Sequence, residues 1–190
     1  MRNIISFLIF MSILFSCTRN YTPRPRGFLR IELPAAQYTA LDQTGLPYTF
    51  SVSRQSIIEL PPADSAPNWM NIDYPGLHAK IYCSYKQITH STLHEYADEC
   101  FKLAERAAGN ADAITEKRYE NKENKVYGAL FLIEGESVSP VQFMLTDSMK
   151  RFFRGALYYK DKSNVDSVAP VTEYIKNDII ELIQTFHWKK

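Results

Sequence analysis

The stretch VYGALFLIEGESVSPVQFMLTDSMKRFFRGALYY, residues 126–159, decides the fold. It holds three apolar runs, 126–133, 141–146 and 152–159, separated by polar turns around 134–137 and 147–150. β-Branched and aromatic residues at this density, in runs too short for ordinary helices, predict strands. Upstream, residues 114–119 supply a fourth strand, joined to the first of these runs through the polar residues 121–124. Four strands with such short connections predict an antiparallel meander. The run 126–133 is apolar at consecutive positions, which predicts a central strand covered on both faces.

Helical spacing flanks the meander on both sides. Thr92 and Glu95 have the spacing of a capping box, Leu93, Tyr96, Ala97, Cys100, Ala104 and Ala107 share one helical face, and Gly109 supplies a stop. After the meander, Ser167 is the candidate N-cap of a second helix, with Pro170 in its first turn. Val171, Ile175, Ile179, Leu182, Ile183 and Phe186 form its apolar stripe. Nearer the N-terminus, Tyr48, Phe50 and Val52 alternate as a strand, and residues 69–74 read as a short strand closed by Pro75 and Gly76. Residues 79–86 place Ile81, Cys83 and Tyr85 on one face, and Pro61, Pro62 and Pro67 mark a surface loop. The predicted class is α+β: an antiparallel sheet with a four-strand meander, covered by two main helices. This order of elements resembles the PsbP/Mog1-like sandwich.

The N-terminus reads as an export signal. Arg2 precedes an apolar run at 4–15 broken only by Ser6 and Ser12. The run is well short of the ~20 residues that span a bilayer. It ends in Leu14, Phe15, Ser16 and Cys17, a lipobox in which Phe15 is bulkier than the usual occupant and Cys17 is the residue lipidated. The predicted organisation is a signal peptide at 1–16, a lipidated cysteine and Pro/Arg-rich tether at 17–46, and a single α+β periplasmic domain at 47–190. In the tether, Arg19, Arg24, Arg26 and Arg30 all precede the first acidic residue, Glu32. That stretch suits either anionic headgroups beside the anchor or a solvated linker. Arg2 is the only charged residue in 1–16 and the whole chain carries +1, so the mature chain is neutral. Neutrality argues against a nucleic-acid partner, which requires a basic surface.

Enzymatic constellations are weak. There is no Gly-x-Ser-x-Gly elbow, no phosphate-binding glycine loop and no Cys-x-x-Cys pair, so the reading is a non-enzyme without cofactor. His90 and His94 are four apart, but they lack the His-Glu-x-x-His pattern of a zinc hydrolase, and no metal site is assigned. Two cysteines remain after lipidation. Cys83 and Cys100 form either a disulfide suited to an exported protein or a pair of buried thiols. The most specific segment is 139–159, in which aromatic rings lie between and beyond two arginines after a polar turn. Arg151, Phe152, Phe153, Arg154, Tyr158 and Asp147 are its candidate partner-binding residues. Arginines beside rings serve interfaces, while an amphipathic sheet with solvated arginines has the same pattern.

This segment resembles the gliding-motility lipoprotein GldD family of the Bacteroidota. The likeness extends to YTPRPRG at 21–27, WMNI at 69–72, Lys80-Ile81 before Ser84-Tyr85-Lys86, and ADAI at 111–114. It continues through VYG at 126–128, DSVAPV at 166–171 and TFHWK at 185–189, and so spans essentially the whole mature chain. The chain departs from the family's usual residues at Cys83, Cys100, Met149 and Lys150, so no role at those positions is carried over. The resemblance implies a lipid-anchored accessory subunit required for gliding motility and type IX protein secretion, acting through envelope proteins of that machinery, with no catalytic residues to transfer. The alternative is a periplasmic module that binds a small ligand or envelope polymer on aromatic platforms. A preformed aromatic pocket would favour that module, and a flat exposed aromatic patch would favour protein contacts. No acidic residue directly follows Cys17, which favours the inner leaflet of the outer membrane, facing the periplasm, over the inner membrane.

Overall fold

Pairing across seven strands organises the chain. The computed structural model describes residues 33–189 apart from 42, 44, 63–66, 110 and 161–164. Cys17, the lipobox and the tether arginines lie outside the described residues. The described elements are β1 (Tyr38–Ala40), β2 (Tyr48–Thr49), β3 (Ser51–Ser53), β4 (Ile57–Glu59), β5 (Met70–Tyr74), β6 (Ala79–Gln87) and α1 (Leu93–Ala108). There follow β7 (Ala113–Asn121), β8 (Val126–Glu134), β9 (Val141–Thr146), β10 (Arg151–Tyr159), α2 (Val165–Gln184) and β11 (His187–Trp188). The main sheet has the order β4-β5-β6-β10-β9-β8-β7, every pair antiparallel. The predicted meander is its β7–β10 half.

Two apolar cores lie on opposite faces of this sheet. On one face, Val171, Ile175, Ile179, Leu182 and Ile183 of α2 pack with Met70, Ile81, Cys83, Leu130, Phe143, Phe153 and Leu157. The short strands β1–β3 and β11 complete that layer, bringing Tyr48 and Phe50 against Phe153 and Phe186. On the other face, Cys100, Ala104, Ala107 and Ala108 of α1 cover Ala129, Phe131, Ile133 and Phe152. Small residues let α1 approach the sheet closely. β8 is therefore apolar on both faces, as its sequence predicts, but it stands next to the β7 edge rather than at the centre. The two covering layers, not a middle position, account for its composition.

Several local expectations are corrected. Thr92 has helical backbone angles and no side-chain cap bond. Its Oγ1 instead accepts the Thr89 N–H at 3.0 Å, so the capping box does not form. Helix α2 begins at Val165, which places Ser167 inside it and Pro170 at its sixth residue. There the proline removes one i→i−4 bond, a cost that a first-turn proline avoids. Phe50 interrupts the predicted 48–52 strand: β2 pairs with β11 and β3 with β1. β1 lies in the stretch that composition marks as tether. It is fastened by the Tyr38 hydroxyl, which donates to Asp178 Oδ1 of α2 at 2.9 Å. Tyr74 donates to Oδ2 of the same buried carboxylate at 3.1 Å.

Candidate functional site

The register of β10 decides what each candidate residue can do. Phe152, Arg154, Ala156 and Tyr158 pair with Lys86, Ser84, Tyr82 and Lys80 of β6, and their side chains share the α1 face. Phe153, Gly155 and Leu157 alternate onto the α2 face. Phe153 is fully buried, with ring centroids of Tyr48 and Phe186 at 4.7 and 5.3 Å. Phe152 is 3% exposed beneath α1, its ring 5.8 Å from that of Tyr96. Both phenylalanines are thus core residues. The segment does not present a continuous aromatic surface, because strand alternation sends its rings to opposite sides of the sheet.

Asp147 opens the β9–β10 turn and Arg151 begins β10 just after it. Asp147 Oδ1 accepts the backbone N–H groups of Met149, Lys150 and Arg151 at 2.9, 2.7 and 2.9 Å. Burial raises the Asp147 pKa, yet these three bonds and the neighbouring Arg151 charge outweigh it and hold the carboxyl below its ordinary value. Arg151 Nε lies 3.8 Å from Asp147 Oδ2, and its guanidinium sits 5.8 Å from the Trp188 ring centroid. Trp188 in turn donates its indole N–H to the Lys125 carbonyl at 3.1 Å. His90 Nδ1 is 3.3 Å from the Ser148 carbonyl at this turn, whereas His94 pairs with Asp98 on the solvent side of α1. The two histidines do not share a site.

Arg154 and Tyr158 open onto a different surface. α1 packs chiefly over β7, β8 and β9, reaches β10 at Phe152 and β6 at Lys86, and leaves β4, β5 and the remainder of β6 and β10 uncovered by any described helix. Continuous rows cross that half: Ile57, Asp73, Lys80 and Tyr158 in one, Glu59, Asn71, Tyr82 and Ala156 in the next. Tyr82 is 50% exposed and Ile57 57%. The Tyr82 and Tyr158 rings meet edge to face at 5.7 Å. Lys80 pairs with Glu59 at 2.7 Å and Lys160 with Asp73 at 2.9 Å. Arg154 donates from Nη2 to Gln142 Oε1 at 2.7 Å, and its charge acts on the nearby Cys100 thiol. Sequence reading missed Tyr82 and Ile57. The signal for Tyr82 was present, since Lys80, Tyr82, Ser84 and Lys86 are the polar complement of the Ile81, Cys83, Tyr85 face.

The cysteines are both buried free thiols. Cys83 belongs to the α2-side core and Cys100 to the α1-side core, so the sheet lies between them and no bridge can form. Burial pushes both thiols up, Cys100 to about 11, with the Arg154 charge pulling against it. An open groove of about 530 Å³ lies elsewhere, lined by Thr39, Leu41, Val52, Ser53, Ser56 and Ile58 among others, without an aromatic ring.

No helix among the described residues is long and apolar enough to cross a membrane. No curated protein matches the chain. A family model described as gliding motility lipoprotein GldD matches residues 18–188, nearly the whole chain from the residue after Cys17 to the end of β11. That match, over a fold in which the family-like segments 69–72, 126–128 and 185–188 all serve the sheet or its covering layer, makes the chain a member of the GldD family of gliding-motility lipoproteins, held at the cell envelope.

Proposed function

We propose that this chain is a non-enzymatic accessory subunit of the gliding and type IX secretion apparatus, anchored through Cys17 at the periplasmic side of the outer membrane. It works by protein contacts through the uncovered half of its sheet. The observation that carries this reading is the half-covered α1 face, where Tyr82 and Ile57 stand exposed on adjacent rows of the sheet. Large exposed side chains rimmed by polar residues are the anatomy of an interaction surface. The competing ligand-binding reading asks for a preformed aromatic pocket. The groove beside β1 has no aromatic lining, and the Tyr82–Tyr158 pair is edge to face rather than a parallel platform.

The test is to crosslink the tagged full-length protein in living cells, purify it from solubilised membranes and identify its companions by mass spectrometry. Subunits of the gliding or type IX secretion machinery are expected. Recovery of no protein partner would overturn the accessory-subunit reading.

A further inference from the structure

The two arginines of β10 differ in what neutralises them. Arg151 has Asp147 and the face of Trp188. Arg154 forms no ion pair among the described residues; its hydrogen-bond partner there is the neutral Gln142 amide. The other cations of the open face, Lys80 and Lys160, are taken by Glu59 and Asp73. Lys86, two positions along from Ser84 opposite Arg154, lies over the Tyr96 ring at 4.6 Å and likewise forms no ion pair among the described residues. At the end of the open face nearest α1 these two cations therefore have no ion-pair partner among the described residues. Gln142 sharpens this point. It is 2% exposed, its oxygen is committed to Arg154, and its Nε2 has no partner. A half-buried guanidinium without a carboxylate forgoes the bidentate pairing that its fork of donors is built for.

We infer that the open face docks an acidic segment of a protein partner. A partner carboxylate engages the free N–H groups of Arg154, and an adjacent apolar residue lies on the exposed Tyr82 ring. This deepens, and rests on, the reading that the open face is the contact surface. A lipid surface fits less well, because Lys80 and Lys160 are already ion-paired with Glu59 and Asp73 and the face does not offer the cluster of free cations that anionic headgroups recruit.

The experiment places a photocrosslinking amino acid at Tyr82 in the full-length chain in living cells, with a second position at Met149 on the β9–β10 turn as comparison. Crosslinked peptides at Tyr82 should carry Asp or Glu within a few residues of the attachment point. Arg154→Glu should cut the yield at least about tenfold, the scale of losing a desolvated charge pair. Arg154→Lys should lie between, having charge without the fork. Ser84→Asp is the variant that keeps the fold intact: Ser84 pairs directly with Arg154, so the new acid occupies the guanidinium from inside. It should abolish capture while thermal unfolding is unchanged or raised. Lysine in place of the partner's acid should restore capture by the Arg154→Glu chain. Tyr82 crosslinks to lipid or glycan, to peptides without acids, or at undiminished yield in Arg154→Glu or Ser84→Asp would overturn the inference. If Met149 captures machinery subunits and Tyr82 captures none, this inference fails while the accessory-subunit reading stands. If neither position captures protein, both fail.

Discussion

Replacing Asp147 with alanine removes the acceptor on which the β9–β10 turn closes. Its Oδ1 receives three backbone N–H groups at 2.7 to 2.9 Å, and Arg151 stands beside it. A hydrogen bond to a charged group contributes about 1.5–3 kcal/mol net, and a neutral one about 1. Here three donors share one oxygen at a partly exposed turn, where water replaces some of what is lost. The cost of Asp147→Ala is therefore closer to one or two charged bonds than to three, about 2–3 kcal/mol. In a domain of this size that lowers Tm by roughly 4–12 °C. Asp147→Asn retains an acceptor oxygen without the charge and should lose less than half as much. The sign with pH follows from the depressed carboxyl. Its stabilisation is fully present above the unfolded value of about 4 and disappears as pH falls through the lower folded value. The wild-type advantage over Asp147→Ala should thus be constant from pH 7 down to about 4 and shrink below that. Thermal unfolding of the full chain in detergent micelles, followed by circular dichroism from pH 7 to 2, measures it. A variant with wild-type Tm that nonetheless lost its partners would refute the reasoning and make Asp147 a contact residue.

Asp178 should behave in the opposite sense. Burial raises its pKa, only partly offset by the hydrogen bonds from Tyr38 and Tyr74. Its contribution is present below about pH 4 and is lost as pH rises through the raised folded value, a slope that Asp178→Asn should lack. Equal pH slopes for both proteins in urea unfolding would contradict this assignment. Cys83 and Cys100, buried on opposite sides of the sheet, should resist maleimide in the native protein and label fully once it is unfolded. A Cys83–Cys100 linked peptide in a non-reducing digest would show that the two faces are not separated as described.

Long periodic elements were legible in the residues, because their burial is decided locally. The stripe from Val171 to Phe186 is buried at every predicted position. The four meander strands pair in the order their short turns impose. Strands β1, β4 and β11 are two or three residues long and exist through partners distant in sequence, so no local period announces them. The candidate site was legible as a segment but not as a surface. Arg154 and Tyr158 differ from Phe153 only by the parity of their positions. Which parity faces an uncovered sheet depends on where α1 stops, and α1 is forty residues or more away in the chain.

Consider how the sheet ends constrain where a partner can attach. The nine-residue edge strand β7 would invite strand addition, but Glu116, Lys117, Arg118 and Glu120 line it, with Arg118 bonded to Glu116 at 3.0 Å. Charges along an edge oppose pairing with a further strand. The opposite edge, β4, is three residues long and is followed by Leu60, Pro61 and Pro62, where proline offers no N–H to a ladder. The α2 face is filled by a continuous apolar layer, and α1 closes the β7–β9 part of the other face. On the proposed reading of a subunit that works by contact, the surface left among the described elements is the β4–β5–β6–β10 half-face. On that surface Lys80 and Lys160 are answered from within, and Arg154 is the guanidinium that is not. A partner gains most by supplying the missing charge there, so the selectivity of this surface should reside in Arg154 rather than in the better-satisfied Arg151.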